Sequence, residues 1–276
     1  MPLTPSQTRE LLDSLGHRPR KPLGQNFLID GNIVRKSLQL AGIEDGDTVV
    51  EVGPGLGTLT RAMLEAGCTV HAVELDPTLT GYLNETLAPQ YPETLRLLEG
   101  DAVKYPRADL MATDDRFKVV ANLPNAITTP WLEAMLRNPL PSDMVLMMQK
   151  EAADRITAQP GSKAYGAISI FTGAAYERAA VHHVSRSCFY PVPGVDSLLL
   201  HLKRRETPVL FSTAARDLVR QLFTQRRKQI GSLLKKNCQL NEWLESLEHV
   251  GCSSKSRPED IPLPAWMDMD RIVGRK

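Results

Sequence analysis

Three glycines in five residues, Gly53, Gly55 and Gly57, stand in the segment EVGPGLGTLT with Glu51 two positions before the first. The apolar pair Val49-Val50 precedes them, and Leu59, Met63 and Leu64 follow at helical spacing as far as Gly67. A strand that breaks into glycines and then opens a helix makes a nucleotide cradle, because free main-chain N–H groups and a helix N-terminus converge there. Without β-carbons the turn can be tight and a ligand can approach the main chain. The spacing is G-x-G-x-G, whereas the dinucleotide fingerprint is G-x-G-x-x-G. The next strand-like run, Thr69 to Val73, ends in Glu74, where a doubly wound fold places the acid that binds ribose hydroxyls. The implied ligand is a nucleoside with a ribose diol. On position alone, NAD and S-adenosylmethionine both satisfy it.

Two later strand ends add chemistry. Asp101, in Glu99-Gly100-Asp101-Ala102, can accept from the exocyclic amine of an adenine, against the plainer reading of a turn aspartate. Phe117 to Ala121 runs into Asn122-Leu123-Pro124-Asn125, an asparagine followed by a proline-stiffened turn. Asn-x-Pro is a common turn, but here it suits methylation of an amino group. The amine of adenine is a poor nucleophile because its lone pair is delocalised into the ring. The Asn122 side-chain oxygen and the Leu123 carbonyl can each accept one amine hydrogen and turn the lone pair toward a sulfonium methyl. Holding donor and acceptor in line is worth up to ~7–11 kcal/mol in the best oriented systems. No metal or strong base is required.

The elements that must position these residues alternate from Thr48 to Gln149. Strands are predicted near 48–52, 69–74, 95–98, 117–122 and 143–149, with helices between, which implies a parallel sheet covered on both faces. Ligands bind at the carboxyl ends of such strands, so Gly53, Glu74, Asp101 and Asn122 should line one crevice. Ahead of the sheet, residues 5 to 16 read as a short amphipathic helix. The polar arm HRPRKPLGQNFLID follows, and Asp30 is placed to cap a helix over 32–41. Beyond the fifth strand come a helix to about Ala158, the glycine-rich loop PGSKAYG, and strands near 178–184 and 196–203. Between those strands, prolines 191 and 193 fix a loop that presents Phe189. Its ring suits stacking on a flipped base, worth ~1–3 kcal/mol, with a core position as the competing reading. His182-His183 lacks a third ligand at metal spacing.

Strand patterning gives way to helical patterning between Arg205 and Pro208. From Lys203 to Lys236 ten Lys or Arg stand against two acids, opposite an apolar stripe that includes Leu218, Leu222, Phe223, Ile230 and Leu233. The net charge of the 276-residue chain is only +1, so this basic run is local, and RNA phosphate is its natural partner. Cys68, Cys188, Cys238 and Cys252 are scattered without a C-x-x-C pair, which argues against a zinc ribbon or a disulfide framework. With no apolar leader and no run long enough to span a membrane, a cytoplasmic protein is expected.

Taken together in order, KPLGQNFL, EVGPGLGTLT, VELD, GDAV, NLP, QKEAADRI, PGSKAYG, FYPVPGVDS and FTQRRKQI resemble the ribosomal RNA adenine dimethyltransferase family across nearly the whole chain, and most of all its small-subunit branch. The resemblance implies a Rossmann-like class I methyltransferase α/β fold over 1–205 and a small basic all-α RNA-binding domain over 206–276. Residues 1–30 would form an arm over the cofactor. It implies S-adenosylmethionine held by Asn26, Leu28, Gly53, Glu74, Asp101 and Asn122. Catalysis would fall to Asn122, Leu123, Pro124, Asn125 and Phe189, the last stacking on the target adenine. RNA would be held by Arg226, Arg227, Lys228, Lys235 and Lys236. The implied reaction is dimethylation of two adjacent adenosines near the 3′ end of small-subunit rRNA by a monomer, without metal, on an immature small subunit during its biogenesis. One departure stands out. The family motif reads Asn-Leu-Pro-Tyr, and here Asn125 takes the place of the tyrosine that walls the target-base slot, so reduced activity is expected. The competing readings are an RNA-binding assembly factor with weak or no catalysis, a large-subunit methyltransferase, and a NAD-dependent oxidoreductase; the last is disfavoured by the glycine spacing.

Overall fold

The computed structural model describes residues 2–20, 23–111 and 116–274; Lys21 and Pro22 of the arm motif lie outside them. The described chain forms two compact units, one of residues 1–153 and 178–204 and one of residues 154–177 and 205–276.

In the first unit, helix α1 (Pro5–Ser14), strand β1 (Phe27–Leu28) and helix α2 (Gly31–Ala41) precede the sheet. Strands β2 (Thr48–Val52), β3 (Thr69–Glu74), β4 (Leu95–Glu99), β5 (Lys118–Asn122) and β6 (Asp143–Gln149) alternate with helices α3 (Thr58–Glu65), α4 (Pro77–Thr86) and α5 (Asn125–Met135). After helix α6 (Lys150–Ile156) and helix α7 (Ala167–Ala175), the latter in the second unit, come strand β7 (Tyr176–Val184), strand β8 (Phe189–Tyr190) and strand β9 (Ser197–Arg204). The seven-stranded sheet has the order β4-β3-β2-β5-β6-β9-β7. Strands β2 to β6 pair in parallel and β9 runs antiparallel to β6. The strand order reverses at β2 and β5, which opens a crevice at their carboxyl ends. Val49, Val50, Val119, Val120 and Met144 through Met148 are all buried, as expected of central strands covered on both faces.

Two local features differ from the sequence reading. No helix joins β4 to β5 among the described residues. Residues 100–111 are turns instead, where Lys104 and Tyr105 N–H groups donate to Asp101 O at 2.9 Å. Pro106 and the left-handed Ala108 (φ 54°) end any helical continuation there. The arm also contains a strand: β1 pairs antiparallel with β8, placing Phe27 opposite Tyr190 and Leu28 opposite Phe189. Asp30 caps α2 as expected, its Oδ1 accepting from the Asn32 N–H at 2.7 Å and the Ile33 N–H at 3.2 Å.

The second unit is helical: part of α6, then α7, α8 (Thr213–Thr224), α9 (Ile230–Leu234), α10 (Asn241–Ser246) and α11 (Leu263–Val273). Sequence patterning began this domain at 206, whereas α7 also belongs to the helical unit. Seven residues of α7 are buried. A helix apolar nearly all round must pack on more than one side. Phe171 of α7 stacks near Phe211 at 5.3 Å, and the Arg216 guanidinium lies 4.9 Å from its ring centroid. Around Trp266 gather Trp243 and Phe223, with centroids at 5.6 and 5.9 Å. Both indoles are satisfied: Trp243 Nε1 donates to Ala265 O at 2.7 Å and Trp266 Nε1 to Ile261 O at 3.1 Å. Tyr165, in PGSKAYG, is buried here and donates to Ile261 O at 3.1 Å, so its role is to anchor the loop.

Arg226 has a similar role. Its Nε meets Glu259 at 2.5 Å, and its terminal nitrogens donate to Lys163 O at 2.7 Å and Ser162 O at 3.3 Å. The guanidinium therefore clamps two loops. Arg227, Lys228, Lys235 and Lys236 are exposed. Arg226→Ala is expected to lower unfolding free energy by about 1–3 kcal/mol through lost charge-assisted hydrogen bonds. Arg227→Ala should change it by less than about 0.5 kcal/mol. Equal denaturation midpoints for the two variants would remove the clamp from the account.

Candidate active site

The carboxyl ends of β2, β3, β4 and β5 converge on one cavity, lined by Gly53, Glu74, Asp101 and Asn122 together with Asn26 and Leu28 of the arm. All six residues expected to hold the cofactor are thus brought together. The three loop glycines share positive φ angles (66°, 59° and 78°) but serve different neighbours. A β-carbon on Gly53 would meet nothing within 4 Å, so this is where a ligand can approach. One on Gly55 would lie 3.1 Å from the Phe27 ring, and one on Gly57 2.8 Å from Leu83. These two glycines make room for the arm and for α4. All three fit the tight turn expected from the sequence, and only Gly53 also leaves room for a ligand.

The Glu74 carboxylate is tied to the loop. Its Oε2 accepts from the Gly55 N–H at 3.1 Å and its Oε1 from the Asp76 N–H at 2.9 Å. Each carboxylate oxygen has a second lone pair, so the group can still accept from two hydroxyls, which fits a ribose diol. Burial raises the Glu74 pKa, the main-chain N–H groups of Asp76, Gly55 and Leu75 pull the other way, and the Asp76 charge adds to the rise. Asp101 holds its turn by accepting from the Val103 N–H at 2.9 Å and lines the cavity beside Gly100 and Ala102. Leu28 is buried in the core and contributes an apolar wall.

A second cavity is lined by Leu123, Asn125, Gln149, Phe189 and Val192, among others. It shares Gly24, Gln25, Asn26, Asn122, Pro124 and Ala126 with the first, so the two meet at the Asn-Leu-Pro turn and the arm. Asn122 Nδ2 donates to Asn26 O at 3.0 Å. A carbonyl cannot donate, so this contact fixes the amide's orientation and leaves Oδ1 as its acceptor. The Leu123 N–H is committed to Met147 O at 2.8 Å, which holds the turn against β6. Asn125 opens α5 and is exposed. Phe189 lines the second cavity while only 2% exposed and packed among Leu28, Val184 and Leu199. It is both a core residue and a cavity wall. Among the described lining residues it is the one aromatic side chain.

Sequence reasoning did not assign a role to Glu51, Gln25 or Asp76. Glu51 lines the first cavity, 2% exposed, and accepts from the Thr60 hydroxyl at 2.6 Å. Burial pushes its pKa up to about 8, the Thr60 bond works against that, and the nearby Glu74 charge adds to it. The only sequence signal was its place two residues before Gly53. Gln25 and Asp76 connect the arm to Glu74, a contact between residues 51 positions apart that no local pattern reveals.

The Glu51 shift makes a signed prediction. The folded state binds the proton more tightly than the unfolded chain, so this group's stabilising contribution is largest at low pH. It declines as pH rises from about 4.5 to about 8, then stays level. Glu51→Gln keeps a partner for Thr60 and cannot ionise. Thermal melts of the cofactor-free protein should show the melting temperature of the wild type falling relative to the variant across that window. Parallel curves would show that Glu51 does not titrate there.

The comparisons with known proteins agree with this geometry. A family model described as ribosomal RNA adenine dimethylase matches residues 16–272. The ribosomal RNA small subunit methyltransferase A of Opitutus terrae is 58% identical over 269 residues, covering 96% of this chain and 97% of its own. A dimethyladenosine transferase from Plasmodium falciparum superposes with a TM-score of 0.71 at 26% identity, over 88% of this chain and 95% of its own. The 23S rRNA methyltransferase ErmE superposes with a TM-score of 0.66 at 25% identity, over 91% of this chain and 100% of its own. With the Rossmann-like sheet, the nucleoside cavity and these matches in hand, the chain belongs to the ribosomal RNA adenine dimethylase family of S-adenosylmethionine-dependent methyltransferases.

Proposed function

We propose that this protein dimethylates the exocyclic amines of two adjacent adenosines near the 3′ end of small-subunit rRNA, in the cytoplasm, as a monomer acting during small-subunit biogenesis. The observation that carries the reading is the fixed Asn122 amide: the residue lines both cavities, and its nitrogen is committed to Asn26 O, which leaves its oxygen as the acceptor. The name of the Opitutus terrae relative supports the small subunit as the source of the RNA.

S-adenosylmethionine, when bound, supplies an electrophilic sulfonium methyl. In this reading Glu74 accepts from the ribose hydroxyls, Asp101 from the adenine amine of the cofactor, and Gly53 gives the ligand room at the main chain. Asn26 and Leu28 close the cavity from the arm. The target adenine enters the second cavity. Asn122 Oδ1 and the Leu123 carbonyl accept the two amine hydrogens and draw the nitrogen toward tetrahedral geometry, freeing its lone pair. Pro124 stiffens the turn that holds both acceptors. Phe189 offers the stacking face, and Asn125 borders the slot without one. Exposed Arg227, Lys228, Lys235 and Lys236 contact RNA phosphates, with Arg226 holding the loops behind them.

No helix among the described residues is long and apolar enough to cross a membrane. A second reading, an assembly factor that binds the subunit with little turnover, is favoured by one observation: Asn125 leaves the slot with Phe189 as the one aromatic among its described lining residues.

The test is transfer of labelled methyl from S-adenosylmethionine to unmethylated small subunits by this protein and by Asn125→Tyr. Both should turn over, the variant ~5–150-fold faster if a stacking wall of ~1–3 kcal/mol is restored. Equal rates would reject the wall role of position 125. Absent turnover by the wild type, with subunit binding retained, would favour the assembly factor.

A further inference from the structure

Helix α4 is capped by Asp76, whose side chain is fully buried. Its Oδ1 accepts from the Thr78 N–H at 3.0 Å, which is all that a helix cap needs. Its Oδ2 faces the arm. Gln25 Nε2 donates to it at 3.0 Å, the Arg20 guanidinium lies 3.8 Å away and His17 Nδ1 3.9 Å away. On the other side, the Asp76 N–H donates to Glu74 Oε1.

Gln25 is held in turn. Its Oε1 accepts from the Arg20 N–H at 2.7 Å and meets His17 Nε2 at 3.0 Å. An amide oxygen can only accept, so the proton of this contact sits on His17 Nε2. His17 is 5% exposed and lines neither of the two cavities. A continuous chain of hydrogen bonds therefore runs from His17 through Gln25 and Asp76 to Glu74 and the Gly55 N–H. A buried carboxylate is costly unless its oxygens are satisfied, and here half of that satisfaction comes from the arm.

We propose that His17 and Asp76 are positioning residues for the cofactor: docking the arm and setting the Glu74 carboxylate are one event, joined through the buried Asp76. The inference rests on the proposed contact between Glu74 and the cofactor ribose. Ordering of the arm then raises cofactor affinity through residues that never touch the cofactor.

The experiment uses the full chain with His17→Ala, His17→Gln and Asp76→Asn. Calorimetry gives the Kd for S-adenosylhomocysteine, methyl transfer to small subunits gives KM and kcat, and thermal melts monitor folding. His17→Ala should weaken S-adenosylhomocysteine binding and raise the cofactor KM about three- to tenfold, the equivalent of one hydrogen bond. At saturating cofactor kcat should stay within about twofold, because bound cofactor re-docks the arm and with it the Asn26 carbonyl that orients Asn122. His17→Gln, whose amide nitrogen can donate to Gln25 Oε1, should restore binding. Asp76→Asn keeps the cap oxygen but turns an amide toward Gln25 Nε2, and should weaken binding as His17→Ala does. Unchanged binding in His17→Ala, or equal losses in the Ala and Gln variants at equal melting temperature, would overturn the proposal. Wild-type-like binding by Glu74→Ala would instead reject the ribose contact on which it rests, a distinguishable failure.

Discussion

A carbonyl oxygen has no proton to give, and that constraint organises the site. Because Asn26 O faces the Asn122 side chain, the amide must offer its nitrogen there and keep its oxygen for another donor. Asn26 is in the arm and Asn122 ends a central strand, so the polarity of the acceptor depends on how the arm is placed. The arm is placed by several independent contacts. Strand β1 pairs with β8, the Phe27 ring lies 3.1 Å from where a β-carbon of Gly55 would be, and Gln25 bonds to Asp76. A segment with little core of its own is thereby ordered over two cavities at once.

The same end of the sheet concentrates three buried acids: Glu51, Glu74 and Asp76. Three unpaired carboxylates could not share such a site, because burial and mutual repulsion both oppose charge. Each is accommodated differently. Glu51 is shifted toward its protonated form and bonded to Thr60; Glu74 takes two main-chain N–H groups; Asp76 takes one N–H and the side chains of the arm. The distribution leaves Glu74 as the carboxylate with acceptor capacity toward the cavity.

In the helical unit, basic residues that look alike in sequence divide by environment. Arg226 bonds to Glu259 and two main-chain carbonyls, and Arg216 covers the Phe171 ring, while Arg227, Lys228, Lys235 and Lys236 face solvent. A planar guanidinium with five donors suits a clamp between carbonyls and a carboxylate, whereas exposed ammonium groups suit phosphate.

The parallel strands and the cofactor crevice were legible in the sequence because their signals are local. Apolar runs mark β2, β3, β5 and β6, a glycine turn marks the cradle, and in parallel topology each strand end falls at the same edge. So Gly53, Glu74, Asp101 and Asn122 could be placed together from spacing alone, the proline-bounded loop pointed to Phe189, and motif resemblance added Asn26 and Leu28. The tertiary structure decided what depends on distant partners. Among these are the pairing of β1 with β8, the membership of α7 in the helical unit, the clamp role of Arg226, the raised pKa of Glu51, and the path from His17 to Glu74. Each arises from contacts between residues far apart in the chain. Periodicity reports which face of an element is apolar; it carries no record of which distant donor meets which acceptor.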